Sequence, residues 1–514
     1  MEWTVFLDQD IIYVSENGND LFEGSRLRPF RTLHKALEQA GSLNRGSIYI
    51  AEGSYTVQQP LVIPGKTNLI GGLDQEDWQP EGRSIIQSGE YFPRGREILS
   101  IESDSSIQGL LFSDPHSRTS LPIRVQGANV ELKDIDTAEG SSFEYLLRQK
   151  DGVITLRDSV IYRGARRGIF LNHGGSLNIE DTTLTVTGDI DGDWAAVTMK
   201  GGSLSLRHSS IRPGMGTRTS AVDGEDAYIS LQETELYSGT GSRSAIALRI
   251  VRGQVRISGG SLRAVEAQTP IAVSADAARL EIRETGIKLG GRNGNTGLVL
   301  TGSELTMRNC DVSTEEEAGF SFMLRQQGGS SELLNCTASV SARGEPVLID
   351  LEGGRLSMIH SSLLVSSSRE RPSGIISRAG AQLFLTNSIV SNARGPSGTA
   401  VRGEKEDAWS IRNCNFGDWA RIAEYGGRLV PDAEAMNNLD GDPLGGWIDA
   451  NIAESPRESF IGESYRLKEN SACVNAGIES GAGFPDMDGQ KRPNPSHGIR
   501  PFPDIGADEF YPVP

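Results

Sequence analysis

Cysteine is scarce in this chain, with four among 514 residues. Four thiols cannot lace a chain of this length into a disulfide framework, so packing and hydrogen bonds must hold the fold. Aromatic residues are only 6% of the total, too few for a core built around large rings. No apolar run is long enough to span a bilayer. The start, Met1-Glu2-Trp3-Thr4, has no basic region and no apolar core, so no secretory signal is visible. Positive charge is short as well: 50 Lys and Arg stand against 68 Asp and Glu, a net charge of −18. That balance disfavours nucleic acid and anionic membrane as partners, and a polyanionic ligand too unless a local basic groove exists. The six histidines lack ligand spacing, so no zinc site is expected. Nucleophile elbow, P-loop and dinucleotide fingerprint are all missing.

What is present in quantity is glycine, at 61 residues, and a short recurring pattern. Leu204 to Ile211 reads L-S-L-R-H-S-S-I, and Leu305 to Val312 reads L-T-M-R-N-C-D-V. A small residue anchors each of thirteen copies: Leu110, Ile135, Ser159, Thr182, Ser209, Thr234, Gly260, Thr285, Cys310, Cys336, Ser361, Ser388 and Cys414, spaced 23 to 27 apart. A fixed period of that length is the signature of a solenoid. Three residues before each anchor the column is wholly apolar, from Ile107 to Ile411, and two after it only Thr137 is polar. Strand side chains alternate with period two, so the parity breaks between these columns, and a corner there explains it. The residue just before each anchor supports the corner. It is Gly109, Asp134, Asp158, Asp181, His208, Glu233, Gly259, Glu284, Asn309, Asn335, His360, Asn387 or Asn413, and the commonest of these types best tolerate a left-handed backbone. These carboxylates are therefore read as turn residues and not as a catalytic ladder.

A further apolar strand precedes each copy and is often followed by a glycine turn, as at Gly174-Gly175, Gly201-Gly202, Gly328-Gly329 and Gly353-Gly354. Each coil thus has three short strands, two tight corners and one loop of variable length. The expected fold is all-β: a right-handed parallel β-helix of about thirteen regular coils plus irregular early coils, capped by an N-terminal amphipathic helix. In that helix Phe30, Leu33, Leu37 and Ala40 share a face, and Gly41 is read as its C-cap. The expected divisions are 1–104 for the cap and early coils, 105–416 for the regular body and 417–514 for irregular closing coils. Cys310, Cys336 and Cys414 are anchors, read as small inward hydrophobes.

Both ends resemble a known family. At the start the residues are Tyr13-Val14-Ser15, Asn17-Gly18, Asp20, Pro29-Phe30, Thr32, Ala36 and Gly53-Ser54-Tyr55. Near the end they are Asn438-Leu439-Asp440-Gly441-Asp442-Pro443-Leu444, Tyr465-Arg466-Leu467, Ser471 to Gly477, Asp486-Met487-Asp488-Gly489 with Arg492-Pro493, and Asp504-Ile505-Gly506-Ala507-Asp508-Glu509. Together they resemble pectate-lyase-like parallel β-helix proteins, in particular bacterial secreted repeat proteins with a D-I-G-A-x-E closing segment. The resemblance implies right-handed coiling and an extracytoplasmic setting: secreted, periplasmic or at the cell surface. The family is functionally mixed, so it implies no activity.

The sharpest local cluster is Asp189-Ile190-Asp191-Gly192-Asp193-Trp194. Three carboxylates at alternate positions can converge oxygens on Ca²⁺, so Asp189, Asp191 and Asp193 are the candidate metal ligands. Arg163, Arg166 and Arg167 lie on the loop of the preceding coil, and Lys200 follows. Lyases that the chain resembles abstract a proton next to a uronate carboxylate with Arg or Lys, aided by Ca²⁺; by that resemblance Arg166, Arg167 or Lys200 is the base. Trp194, read as a loop residue, and Arg163 are the candidate substrate contacts, an indole face being suited to a sugar ring. Asp486-Met487-Asp488-Gly489 is read as a turn in the closing cap. Three functions stay open: glycan recognition at a bacterial surface without catalysis, Ca²⁺-assisted polysaccharide lysis or related carbohydrate chemistry, and a structural or adhesive rod. A basic groove with bound Ca²⁺ favours the lyase, an aromatic strip without clustered charges favours binding, and a smooth polar surface with an exposed apolar patch favours the structural role.

Overall fold

The computed structural model describes residues 11–43, 45–119, 121–138, 141, 143–161, 167–186, 189–239, 241–315, 317–367, 371–404, 407–437, 448–449, 451–461, 464–479, 485–495 and 502–511. The chain is an all-β parallel solenoid with very little helix. It falls into two compact units, residues 1–237 and 238–514.

Each coil contributes to three parallel sheets. In the first unit one coil runs through Asp189–Lys200, Ser203–Arg207 and Ser210–Arg212. In the second unit an equivalent coil runs through Val347–Glu352, Arg355–Ile359 and Ser362–Ser367. The middle strands stack in strict register within each unit: Leu156 pairs with Ile179 and Ile179 with Leu206, and Met307 pairs with Leu333 and Leu333 with Met358. Identical parity stacks apolar residues on apolar residues, so these columns are buried almost completely.

The corner stands where the sequence puts it. All thirteen residues before the anchors have positive φ, from 44° at His208 to 70° at Gly259. The reversal turns the anchor inward, and that explains its chemistry. Ser159 Oγ donates to the Arg157 carbonyl at 2.8 Å and accepts the Asp134 N–H at 3.0 Å from the coil before. Thr182, Ser209, Ser361 and Ser388 repeat parts of this pattern. A small hydroxyl fits there because it is buried and fully paired. Cys310 and Cys414 take the same place, their thiols 3.2 and 3.3 Å from the Arg308 and Arg412 carbonyls. All four cysteines are free and buried, as small inward side chains should be.

The N-terminal helix, Leu33–Leu43, lays Leu33, Ala36, Leu37 and Ala40 on the core, beside buried Phe30. Gly41 is not its C-cap. It lies inside the last turn, where a Cβ would come 3.2 Å from Pro64 Cβ, so the glycine serves close packing instead. Among the described residues no helix is long and apolar enough to cross a membrane.

The tail closes the second unit along the corner column. Asn335 Nδ2 donates to the Pro485 carbonyl, Asn387 bonds Ile478, and Asn413 Nδ2 donates to the Ala476 carbonyl at 2.8 Å. Asp486 is a turn residue, as expected. Its Oδ1 accepts the N–H groups of Asp488 and Gln490, and its Oδ2 accepts that of Glu509. The residues 438–444 of the closing pattern lie outside the described residues.

Candidate functional site

Outward charges on the middle sheet mostly cancel between coils. In the first unit Arg157 Nε lies 3.0 Å from Glu180 and Lys133 Nζ 3.5 Å from Asp158; in the second Arg256 and Arg283 both face Glu281. The sheet formed by the first strand of each coil behaves differently. In the first unit its strands Ile123–Gln126, Leu147–Lys150, Phe170–Asn172 and Asp189–Lys200 stack in parallel. Val125, Leu147, Phe170, Val197 and Met199 point inward. Alternation then sends Arg124, Arg148 and Thr198 outward, with Gln126, Lys150 and Lys200 two residues further on.

Registers align these side chains from coil to coil. Arg148 pairs with Arg124 and with Leu171. Gln149 pairs with Asn172 and Asn172 with Met199, so the next residues along, Lys150, His173 and Lys200, follow one another on successive coils. Adjacent coils are about 4.8 Å apart, so the row covers about 10 Å of the surface. Arg124 is neutralised by Glu97 at 3.2 Å and Glu102 at 3.5 Å. Arg148, Lys150 and Lys200 are exposed and make no ion pair among the described residues.

His173 sits among these cations. Loss of water first, then the charges of Lys200 and Arg148, hold its imidazole below its ordinary value. It is therefore neutral at neutral pH. Tyr145, half-buried beside Arg167, is pushed up mainly by burial. Three unpaired cations around a neutral imidazole, in a chain of net charge −18, form the local basic patch that an acidic ligand requires.

The residues singled out from the sequence fall as follows. Lys200 is part of the patch. Arg167 is on the rung of His173, its N–H bonded to the Glu144 carbonyl at 2.9 Å and its Nε 3.9 Å from Glu144 Oε1. Arg163 and Arg166 lie outside the described residues. The loop expected at 189–194 is instead the start of the strand Asp189–Lys200, with a register shift between Ile190 and Asp193. The side chains of Asp189 and Asp191 lie outside the described residues, and Asp193 Oδ2 is 3.7 Å from Arg218 Nη1. Trp194 stands in this strand, not on a loop. Its ring is 6% exposed, and a Cβ on Gly216 would come 2.5 Å from its Nε1. A ring so covered has no free face for stacking. Among the described residues no cluster of acidic, His or Cys side chains could hold a metal ion.

His173, Arg148 and Lys150 were not legible as a group. The available signal was the apolar alternation of Phe170 and Met199, which puts His173 and Lys200 outward at matching places.

Three parallel sheets, a left-handed corner column and an N-terminal capping helix are now all observed. The fold is a parallel β-solenoid. Residues 16–139 match the family model described as "Protein of unknown function (DUF1565)". No curated protein matches the chain. Solved structures with similar coils include the mannuronan C-5 epimerase AlgE4 A-module of Azotobacter vinelandii, at 12% identity over 69% of this chain and 92% of that one, TM-score 0.34. A rhamnogalacturonan lyase matches at 11% identity over 88% and 91%, TM-score 0.29, and the pectate lyase Pel9A at 10% identity over 97% and 96%, TM-score 0.28.

Proposed function

We infer that the first unit recognises an acidic polysaccharide along its basic face, without catalysis. The observation that carries this reading is the row of Arg148, Lys150 and Lys200, which make no ion pair among the described residues, on a chain of net negative charge. Unpaired side chains on a sheet that a folded protein could have neutralised, as its middle sheet does, are groups left for a ligand. The coil spacing is close to the length of one pyranose residue in an extended chain, so successive carboxylates or sulfates can meet successive rungs. An extracytoplasmic setting, secreted, periplasmic or at the cell surface, is where such polymers are met.

Binding to polygalacturonate and to a neutral glucan tests this, by titration at two salt concentrations. Arg148→Glu with Lys200→Glu should abolish binding to the acidic polymer. The wild type should bind more weakly as salt rises, because Coulomb attraction is screened. Equal affinity for the neutral glucan, or an unchanged double variant, would sink the reading.

Lys200 beside a neutral His173 supports a second reading, a lyase. A neutral imidazole accepts a proton, while the cations Arg148 and Lys200 balance the uronate carboxylate. Growth of the ultraviolet absorbance of unsaturated uronate in the same mixture, lost in Lys200→Ala or His173→Ala, distinguishes it from recognition alone.

A further inference from the structure

The second unit carries a pair of aromatic rings on the outer face of the sheet formed by the first strand of each coil. They stand at the start of the strand Phe320–Gln327, which pairs with Gly294–Thr301 on one side and Val347–Glu352 on the other. Ser321, Met323 and Leu324 are buried, and Phe320, Phe322 and Arg325 face outward. Phe320 is 39% exposed, and half-buried Phe322 lies beside it, the ring centroids 6.0 Å apart and edge-to-face at 61°. The tip of the Phe320 ring reaches over Gly294 of the coil before, where a Cβ would come 2.1 Å from its Cζ. Glycine there makes room for the ring, so two coils build the platform together.

Arg325 joins this platform to a small cavity. Its guanidinium lies 4.8 Å from the Phe322 centroid, and its Nε lies 3.7 Å from Asp350 Oδ2. Arg378, from the coil after Asp350, pairs with the other carboxylate oxygen. The cavity, of about 210 Å³, has Val299, Thr301, Arg325, Gln327, Asp350 and Glu352 in its walls. Thr301, Gln327 and Glu352 stand in register on three successive coils. They are exposed, and their side chains make no hydrogen bond or ion pair among the described residues.

Charge and shape together narrow the ligand. Asp350 is held by two arginines, so an anion would have to displace it, and a cation would have to displace one of them. A neutral hydroxyl displaces nothing. It donates and accepts at once, and so can bond a carboxylate and a guanidinium that stay paired. Thr301, Gln327 and Glu352 offer a hydroxyl, an amide and a carboxylate for the same use. The exposed ring asks for an apolar face beside those hydroxyls. A cyclic sugar has both, C–H groups on its faces and hydroxyls around its edge. The cavity is too small for a drug-sized ligand and suits a single ring.

We propose that this face of the second unit binds a neutral saccharide chain, with one pyranose stacked on Phe320 and a further unit at the cavity beside Arg325. The site shares no residue with the basic face of the first unit and differs from it in charge.

The test titrates the full chain, followed by saturation-transfer magnetic resonance, with neutral hexaoses of glucose, mannose, galactose and xylose, with sorbitol and with hexagalacturonate. Saturable binding of at least one neutral hexaose is expected, with transfer to its ring C–H protons. It should be weaker than binding of the acidic polymer, because the face is shallow. Sorbitol has hydroxyls without a ring face and should not bind. Phe320→Ala should weaken the hexaose about ten-fold, the loss of one stacking contact, and Phe320→Tyr should bind as the wild type does. Glu352→Gln should weaken it less than Phe320→Ala. Arg148→Glu with Lys200→Glu should leave hexaose binding unchanged while abolishing that of hexagalacturonate, so the two sites fail separately. No saturable hexaose binding, sorbitol binding as tightly, hexagalacturonate binding that depends on Phe320, or an unchanged Phe320→Ala would overturn the proposal. Phe320 and Glu352 are exposed, so neither change threatens the fold; unchanged thermal midpoints verify this.

Discussion

Asn387 and Ile478 clasp each other through both backbone groups of the isoleucine. Asn387 Oδ1 accepts the Ile478 N–H at 2.9 Å, and Asn387 Nδ2 donates to the Ile478 carbonyl at 2.7 Å. The same asparagine holds φ at 48° in the corner column and is fully buried. One residue thus turns a coil and ties the closing tail to it.

Two substitutions separate these tasks. Asn387→Gly keeps the left-handed corner and removes the clasp, and should cost about 1–3 kcal/mol for bonds lost and Ile478 groups left unpaired. Asn387→Val adds the strain of a β-branched residue at positive φ, roughly 1–3 kcal/mol more. Denaturant midpoints should therefore fall in the order wild type, Gly, Val. A valine variant as stable as the glycine variant would mean that the corner stores no such strain.

The closing cap should prefer acid. Arg492 is fully buried among Asp486, Asp504, Asp508 and Glu509, one cation against four carboxyls. Burial, then the neighbouring Glu509, lifts Asp504 from 3.8 to about 7, and burial lifts Asp508 from 3.8 to about 7. A carboxyl raised in the folded state binds its proton more tightly folded than unfolded. Its stabilisation is full below the ordinary value and is lost as pH rises through about 7. The melting temperature should accordingly fall between about pH 5 and about pH 8. Asp508→Asn, whose amide oxygen can still accept the Leu467 N–H, should flatten that slope. A stability that rises over this window would show that the carboxyls are charged when buried.

The fold was legible because its signals are local and repeated. The corner column needs only the residue types before each anchor, and thirteen repetitions make the pattern hard to miss. Register between coils is different, since loop lengths set it and the sequence does not display it directly. That is why Lys200 could be noticed while its neighbours His173 and Arg148 could not. It is also why Asp189 to Trp194, polar and glycine-containing, looked like a loop. In the fold it extends a strand that pairs with Met215–Glu225. The clasp of Asn387 on Ile478 spans 91 residues, and no periodicity announces it.

The aspartates of that strand remain a metal hypothesis with a clean test. Alternate positions on a strand share a face, but the register shift between Ile190 and Asp193 interrupts the alternation. If Asp189, Asp191 and Asp193 converge on Ca²⁺, the ion should raise the melting temperature of the wild type. Asp191→Ala should lose that rise and keep the metal-free midpoint. No rise in the wild type ends the idea.

Anion binding at the basic face should carry a proton with it. Loss of water first, then the charges of its neighbours Lys200 and Arg148, hold the His173 imidazole below its ordinary value. Lys150 adds charge from the coil before; Asp151, which lies close to Gly174, and Glu225, in register with Lys200 on the coil after, are acidic neighbours. A bound carboxylate offsets the repulsion from Lys200 and Arg148 and so raises the proton affinity of the imidazole. By linkage, a lower pH must then tighten the anion. Affinity for polygalacturonate should rise as pH falls below neutrality, the side on which an imidazole held below its ordinary value takes up its proton. Calorimetry in buffers of different ionisation enthalpy should show proton uptake on binding. His173→Gln keeps a polar side chain without the titration, and should bind with the same salt dependence and no pH slope in this range. Uronate carboxyls themselves titrate lower, so a slope that survives in His173→Gln would place the coupling elsewhere and leave the imidazole a bystander.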